Sequence, residues 1–211
     1  MQIAIVLFDR FTALDAVGPY EMLCRIPGAE TVFAAQQPGP VHNDRGDLAL
    51  VAGKGFEEVQ APDIVVVPGG PGQSVQMENA ALLDWLRTAN EASTWTTSVC
   101  TGSLLLAAAG LLKGRRATSH WLALDSLATF GAEPIGERVV TDGKFITAAG
   151  VSAGIDMGLT LVGSVAGDEH AQAVQLGTEY DPRPPYDAGS PQKAPAALVD
   201  KLRARSRFIL Q

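Results

Sequence analysis

Apolar and polar positions along this chain fall into blocks that predict strands and helices in turn. Ile3 to Phe8 is an unbroken apolar run, the pattern of a strand buried on both faces. Leu14 to Cys24 follows as a helix, with Pro19 early in it or kinking it. Thr31 to Ala35 predicts a short second strand. Gly39 to Gly55 is rich in turn residues, with one strand-like piece at Leu48 to Val51. Ile64 to Val67 is the plainest strand and ends at Pro68-Gly69-Gly70-Pro71-Gly72. Ala80 to Ala92 has the period of an amphipathic helix. Trp95 to Val99 predicts a further strand, and Thr101 to Leu112 turns helical with no loop between.

In the second half, Trp121 to Thr129 predicts a helix. Val139 to Thr147 reads as a hairpin with Asp142-Gly143 as its two-residue turn. Val151 to Val165 and Glu169 to Thr178 predict two helices. Asp181 to Pro195 carries five prolines and is expected to be extended or looped. Ala196 to Phe208 predicts an amphipathic tail helix. Neither an internal repeat nor a low-complexity linker is visible. Strands alternating with helices imply an α/β fold in three layers. The sheet should be mostly parallel, with the hairpin as its antiparallel edge. Residues 1–190 are expected to form one domain, with 191–211 as a helical tail packed on it.

Composition narrows the function. The chain has 211 residues, 46% hydrophobic and 18% charged, enough apolar material for a core and too little charge for disorder. A net charge of −7 disfavours nucleic acid as a partner, because phosphate contacts need a basic face. It equally disfavours an anionic membrane surface. The first ten residues lack the basic stretch and cleavage site of a signal peptide, and no apolar run is long enough to span a bilayer. A soluble, cytoplasmic protein is expected. Two cysteines, Cys24 and Cys100, are too few for a disulfide framework or a thiolate zinc site. With no phosphate loop or dinucleotide fingerprint either, no metal and no cofactor are expected.

The candidate chemistry lies at two strand ends, where ligands bind in a doubly wound sheet. Cys100 stands between a strand and a helix, the context of a nucleophile elbow. The backbone N–H groups of Thr101 and Gly102 at the helix start would favour its thiolate. Cys24, inside the first helix, is expected to be a core thiol. Gly69 and Gly70 let backbone approach a substrate closely, and a free N–H there could join that of Thr101 in an oxyanion hole. Asp15 lies beyond the first strand, on the same rim, where apolar neighbours would raise its pKa. Glu21 is a second carboxylate in the same helix, and physics alone does not rank the two. Of the three histidines, His120 could reach Cys100 in space, or simply open a helix in Ser119-His120-Trp121. Asp156 reads as a helix-end or buried hydrogen-bonding group. Lys201, Arg203, Arg205 and Arg207 read as a solvated helix face near a C-terminus.

These residues also carry a resemblance. The first strand through Asp9, the run Leu14-Asp15-Ala16-Val17-Gly18-Pro19-Tyr20-Glu21, Val67-Pro68-Gly69-Gly70 and Ser98-Val99-Cys100-Thr101-Gly102 resemble the ThiJ/PfpI superfamily. Ala117-Thr118-Ser119-His120-Trp121 and Gly150-Val151-Ser152-Ala153-Gly154-Ile155-Asp156 extend the likeness. Val174-Gln175-Leu176-Gly177-Thr178-Glu179-Tyr180, Pro184-Pro185-Tyr186 and Gly189-Ser190-Pro191 are similar to its isonitrile hydratase branch. The resemblance implies a flavodoxin-like sandwich, a homodimer and a small-molecule substrate. It implies Cys100 as nucleophile, Asp15 as catalytic aspartate and Thr101 as an assisting residue. Beside these, Gly69 and Gly70 are expected to orient the substrate, in a pocket reaching Tyr20, Glu21, His120 and Val151. The implied reaction adds water to an isonitrile through a Cys100 thioimidate. Peptidase-like and glyoxalase-like branches carry His directly after the nucleophile, where this chain has Thr101. Action on small aldehydes is therefore the alternative, beside a non-enzymatic redox or ligand sensor. A regulator branch adds a helix-turn-helix pair, whereas only one helix is expected here after the proline-rich stretch.

Overall fold

The computed structural model describes residues 1–206, along which strands and helices alternate. In chain order they are β1 (Gln2–Val6), α1 (Ala13–Leu23), β2 (Glu30–Ala35), β3 (Gly39–His42), β4 (Ala49–Ala52), β5 (Lys54–Gly55) and β6 (Ile64–Val67). Then come α2 (Gln73–Gln76), α3 (Ala80–Ala92), β7 (Trp95–Val99), α4 (Gly102–Ala108), β8 (Arg116–Ala117) and β9 (Glu133–Pro134). The chain continues with β10 (Val139–Asp142), β11 (Phe145–Ala148), α5 (Ala153–Ala166), α6 (Asp168–Gly177) and α7 (Ala196–Arg203).

The main sheet has seven strands in the order β10-β11-β7-β6-β1-β2-β5. Every neighbouring pair is parallel except β10 with β11. The central position of β1 and β6 follows from composition. Ile3, Ile5, Ile64 and Val66 are wholly buried, as strands covered by helices on both faces must be. Register then aligns the carboxyl ends. Val67 lies opposite Ser98, and Val99 opposite Ala148. The turns after β6, β7 and β11 therefore open on one rim.

Helix α1 approaches α5 closely because the contact is made of small residues. A Cβ on Gly154 would stand 3.0 Å from Val99 Cγ2 and 3.1 Å from Pro19 Cδ. One on Gly158 would stand 2.8 Å from Met22 Cβ. This contact brings the first turn of α1 to the start of α5, on the rim. Pro19 lies inside α1 and supplies part of the contact surface.

Several sequence expectations change. The hairpin exists, but Asp142 pairs with Phe145, so the two loop residues are Gly143 and Lys144. Gly143 takes φ 60°, the first central position at which a type II′ turn prefers glycine. The turn-rich stretch after β2 holds a second hairpin, β3 with β4, of which only β4 was legible. Residues Leu124–Phe130 form a 3-10 helix rather than an α-helix from Trp121. α4 stops at Ala108 because Gly110 takes a left-handed φ of 81°. Cys24 is a half-buried C-cap of α1, its sulfur 3.7 Å from the Glu21 carbonyl, and not a core thiol. The tail helix α7 ends at Arg203. Ala204 to Ser206 do not continue it as expected, and Arg207 and Phe208 lie outside the described residues. α7 buries none of its residues, and the Arg203 guanidinium lies 5.7 Å over the Trp121 ring. Among the described residues no helix is long and apolar enough to cross a membrane.

At Gly102, two effects compete. Alanine is a better helix former by about 1 kcal/mol. Its Cβ would nevertheless lie 2.1 Å from the Val67 carbonyl oxygen and 2.8 Å from that of Pro68. Backbone cannot move aside as a side chain can, so sterics win. Gly102→Ala should lower stability by about 3 kcal/mol in urea unfolding. An unchanged midpoint would mean that α4 is free to move away from β6.

Candidate active site

Cys100 follows the last residue of β7 and takes φ 57°. A left-handed backbone is costly for a residue with a side chain, so neighbouring contacts must hold it. They do so through both of its backbone groups. The Cys100 N–H donates to the carbonyls of Ala148 and Ala149, at 3.0 and 2.9 Å. Its carbonyl accepts from Ser119 Oγ at 3.0 Å and from Ser103 Oγ at 3.2 Å. Neither serine was singled out as functional from the sequence. Ser103 stands at helical i+3 spacing from Cys100, a usable signal, whereas nothing in spacing marks Ser119.

Asp15 sits in the first turn of α1 and is 0% exposed. Its Oδ2 accepts from the Gly69 N–H at 2.9 Å. Its Oδ1 is buried without a hydrogen-bond partner, and the carboxyl and the Cys100 thiol act on each other electrostatically. Burial pushes its pKa from 3.8 up to about 7, against the opposing pull of the Gly69 amide and the thiol. Asp44 adds a small upward push. Burial also raises the Cys100 thiol, and the Asp15 charge raises it further. The backbone N–H groups of Val151 and Thr101 act in the opposite direction, favouring the thiolate. Val151 takes φ 32°, a second strained non-glycine residue beside the sulfur. Burial thus keeps the thiol protonated at neutral pH, while the carboxyl beside it titrates near pH 7.

The glycine amides expected to be free oxyanion donors are already engaged. Gly69 N–H holds Asp15, and Gly70 N–H donates to Thr101 Oγ1 at 3.0 Å. Their role in this geometry is to position side chains. A Cβ at position 69 would lie 2.5 Å from Thr101 N, and Gly70 takes φ 135°. Both positions therefore call for glycine.

His120 and Val151 line one cavity of about 410 Å³ beside the elbow. Residues 118–121, Leu124, 136–138, 149–152 and 189–192 provide its walls, and Cys100 and Asp15 are not among them. Burial lowers the His120 pKa to about 4, so the ring is neutral at pH 7. Its Nδ1 accepts from the Leu122 N–H at 3.2 Å. The influences on the thiol are burial, Asp15 and two amides, and His120 is not among them. Tyr20 and Glu21 are not in this cavity. Tyr20 packs on Phe33, ring centroids 5.4 Å apart. Glu21 is exposed, pairs with Arg25 at 3.0 Å and faces a separate groove between α1 and Tyr180. The helical offset of six residues carries it away from the rim that Asp15 faces. Asp156 does hold hydrogen bonds, as expected. It ion-pairs with Arg138 and accepts from Tyr180 Oη at 2.7 Å.

Comparison with known proteins gives a consistent picture. The profile of the DJ-1/PfpI family matches residues 1–164. An isonitrile hydratase from Pseudomonas putida is 44% identical over 206 residues, 98% of this chain and 90% of that protein. A deglycase from Thermococcus kodakarensis is 30% identical over 154 residues, 70% of this chain and 89% of that protein. The crystal structure of a ThiJ/PfpI family protein from Pseudomonas syringae superposes with a TM-score of 0.94. It is 40% identical, covering 97% of this chain and 85% of that one.

The raised Asp15 pKa has a stability signature. The folded state keeps this proton up to about pH 7, whereas the unfolded chain loses it near 3.8. Stability from this group is therefore highest below pH 4 and falls as pH rises to 7. The full penalty is about 4 kcal/mol, at ~1.4 kcal/mol per pKa unit. Asp15→Asn should gain on wild type by up to that amount between pH 4 and pH 8 in urea unfolding. A difference that does not vary with pH would place the Asp15 pKa near its ordinary value.

Proposed function

The chain belongs to the DJ-1/PfpI family, and from that premise we propose that it hydrates isonitriles to N-substituted formamides. One observation carries the reading. A buried carboxyl with a pKa of about 7 lies against a cysteine thiol on a strained elbow. The 44% identity to isonitrile hydratase over nearly the whole chain supports the same choice.

An isonitrile carbon has both a lone pair and electrophilic character, so it needs a proton and a soft nucleophile at one atom. In this mechanism the Cys100 thiol passes its proton to Asp15, and the thiolate rests on the Val151 and Thr101 amides. Sulfur then bonds to the isonitrile carbon while Asp15 returns the proton to that carbon. The product is a thioimidate. Asp15, now a carboxylate, takes a proton from water. The hydroxide adds to the thioimidate carbon, and the imine nitrogen receives the proton. The tetrahedral adduct collapses by breaking the C–S bond, which releases the formamide and restores the thiol. One group serves as acid and then as base, the task for which a pKa near working pH is best. Thr101 Oγ1, held by the Gly70 amide, orients the water. We also take over from the family resemblance a homodimer in the cytoplasm.

Incubation with an aryl isonitrile tests the reading, with formamide as the measured product. Wild type should turn over, Cys100→Ala should fall by at least ~10⁴-fold, and Asp15→Asn by at least ~10²-fold. Glu21→Gln should stay within about two-fold of wild type. Equal turnover in Cys100→Ala would exclude the thioimidate. Lactate from methylglyoxal, with no formamide, would move the assignment to aldehyde chemistry.

A further inference from the structure

Two successive carbonyls at the elbow are satisfied in different ways. The Thr101 carbonyl accepts from the Leu104 N–H at 3.0 Å, backbone to backbone. The Cys100 carbonyl, one peptide earlier, is turned aside by the left-handed φ of 57°. Among the described residues its partners are two hydroxyls, Ser119 Oγ at 3.0 Å and Ser103 Oγ at 3.2 Å. Both serines are buried, at 2% and 0% exposure, so solvent does not stand in for them. They reach the carbonyl from different elements. Ser103 belongs to α4, and Ser119 to the segment after β8. That segment is fixed in turn, because the Thr118 N–H donates to Thr147 Oγ1 on β11 at 2.9 Å.

What holds this carbonyl also aims an amide. A peptide unit is planar and trans, so its C=O and N–H point in opposite directions. The N–H of the peptide that begins with the Cys100 carbonyl is that of Thr101. It faces the place where Gly69 and the cysteine meet. A Cβ at position 69 would stand 2.5 Å from Thr101 N and 3.0 Å from Cys100 Cβ. The reverse orientation would set a carbonyl oxygen there, opposing a thiolate and any anion formed on an atom bonded to it. A buried carbonyl deprived of its donors has a reason to turn, since leaving it unpaired is costly. Donation to the carbonyl also polarises the peptide and makes its N–H a stronger donor.

We propose that Ser119 and Ser103 are positioning residues of the active site, whose hydroxyls lock the Cys100–Thr101 peptide with its N–H toward the reacting atoms. The inference rests on reading Cys100 as the nucleophile of the hydratase reaction above. The serines act through the peptide and exchange no proton with substrate. Their contribution is greatest where charge develops, so it belongs to kcat more than to KM.

The test compares Ser119→Thr with Ser119→Val, two side chains of one shape that differ in the hydroxyl. With an aryl isonitrile, kcat of Ser119→Val should fall at least ~ten-fold below that of Ser119→Thr, with KM within about two-fold. Ser103→Ala, a smaller change, should lower kcat in the same way and carries the test if position 119 does not accept a branched residue. Amide hydrogen exchange followed by NMR gives a readout that needs no isonitrile. The Thr101 N–H should exchange at least ~ten-fold faster in Ser119→Val than in Ser119→Thr, while that of Leu106, inside α4, stays the same. Selective exchange at Thr101 in a protein that hydrates no isonitrile would keep the lock and reject the hydratase reading. Equal kcat in active Ser119→Val and Ser119→Thr would overturn the proposal and leave that reading intact. Exchange that rises equally at Thr101 and Leu106 would overturn it too, because the serine would then only stabilise the fold.

Discussion

Two adjacent backbone amides hold this site together. Gly69 donates to Asp15 and Gly70 to Thr101, so one turn after β6 places both polar side chains that flank Cys100. The turn can do this only without side chains, since a Cβ at Gly69 would meet the Thr101 backbone. The opposing wall is equally tight, with Gly154 and Gly158 admitting α1 against α5. Glycine abundance, which in composition alone says only that elements pack closely, here sets the distance between an acid and a thiol.

The same tightness explains the electrostatics. Asp15 is buried because α1 is drawn in, and burial raises its pKa to about 7. Cys100 is buried for the same reason and is raised as well. A cysteine activated by a cationic partner would have a depressed pKa. This one is instead raised above the ordinary thiol range, beside a carboxyl that titrates near 7. Such a pair suits a reaction in which one proton must go out to carbon and another must come back from water. The neutral His120 fits that division, since it brings no cation to the thiol.

Much of this was legible in the sequence, and the reasons differ by element. The strands Ile64–Val67 and Trp95–Val99 and the helix Ala80–Ala92 have the bounds read from their patterns. Their apolar runs end at unmistakable punctuation. The elbow was legible because strand and helix meet at Cys100 without a loop. Asp15 could not be ranked above Glu21, because the choice depends on which face of α1 turns to the rim. That orientation is decided by Gly154 and Gly158, more than 130 residues away in the chain. The free glycine amides were misread for a similar reason. Sequence reveals donors, but not the side chains that arrive from elsewhere to occupy them. The hairpin turn was misplaced by one residue because Asp-Gly and Gly-Lys both suit a two-residue loop, and only the pairing of Asp142 with Phe145 decides.

The parallel order of the sheet has a consequence for the chain as it is made. The site draws on Asp15, Gly69, Cys100, Ser119 and Val151, and the strand that carries Ala148 to the Cys100 N–H is inserted late, beside β7. Until β11 and the turn after it emerge from synthesis, Cys100 lacks both backbone acceptors and the Val151 amide. A nascent chain therefore carries Cys100 as an ordinary thiol, with ordinary nucleophilicity. The unusual acid–base behaviour is a property of the finished domain, and it arrives only once about three-quarters of the chain exists.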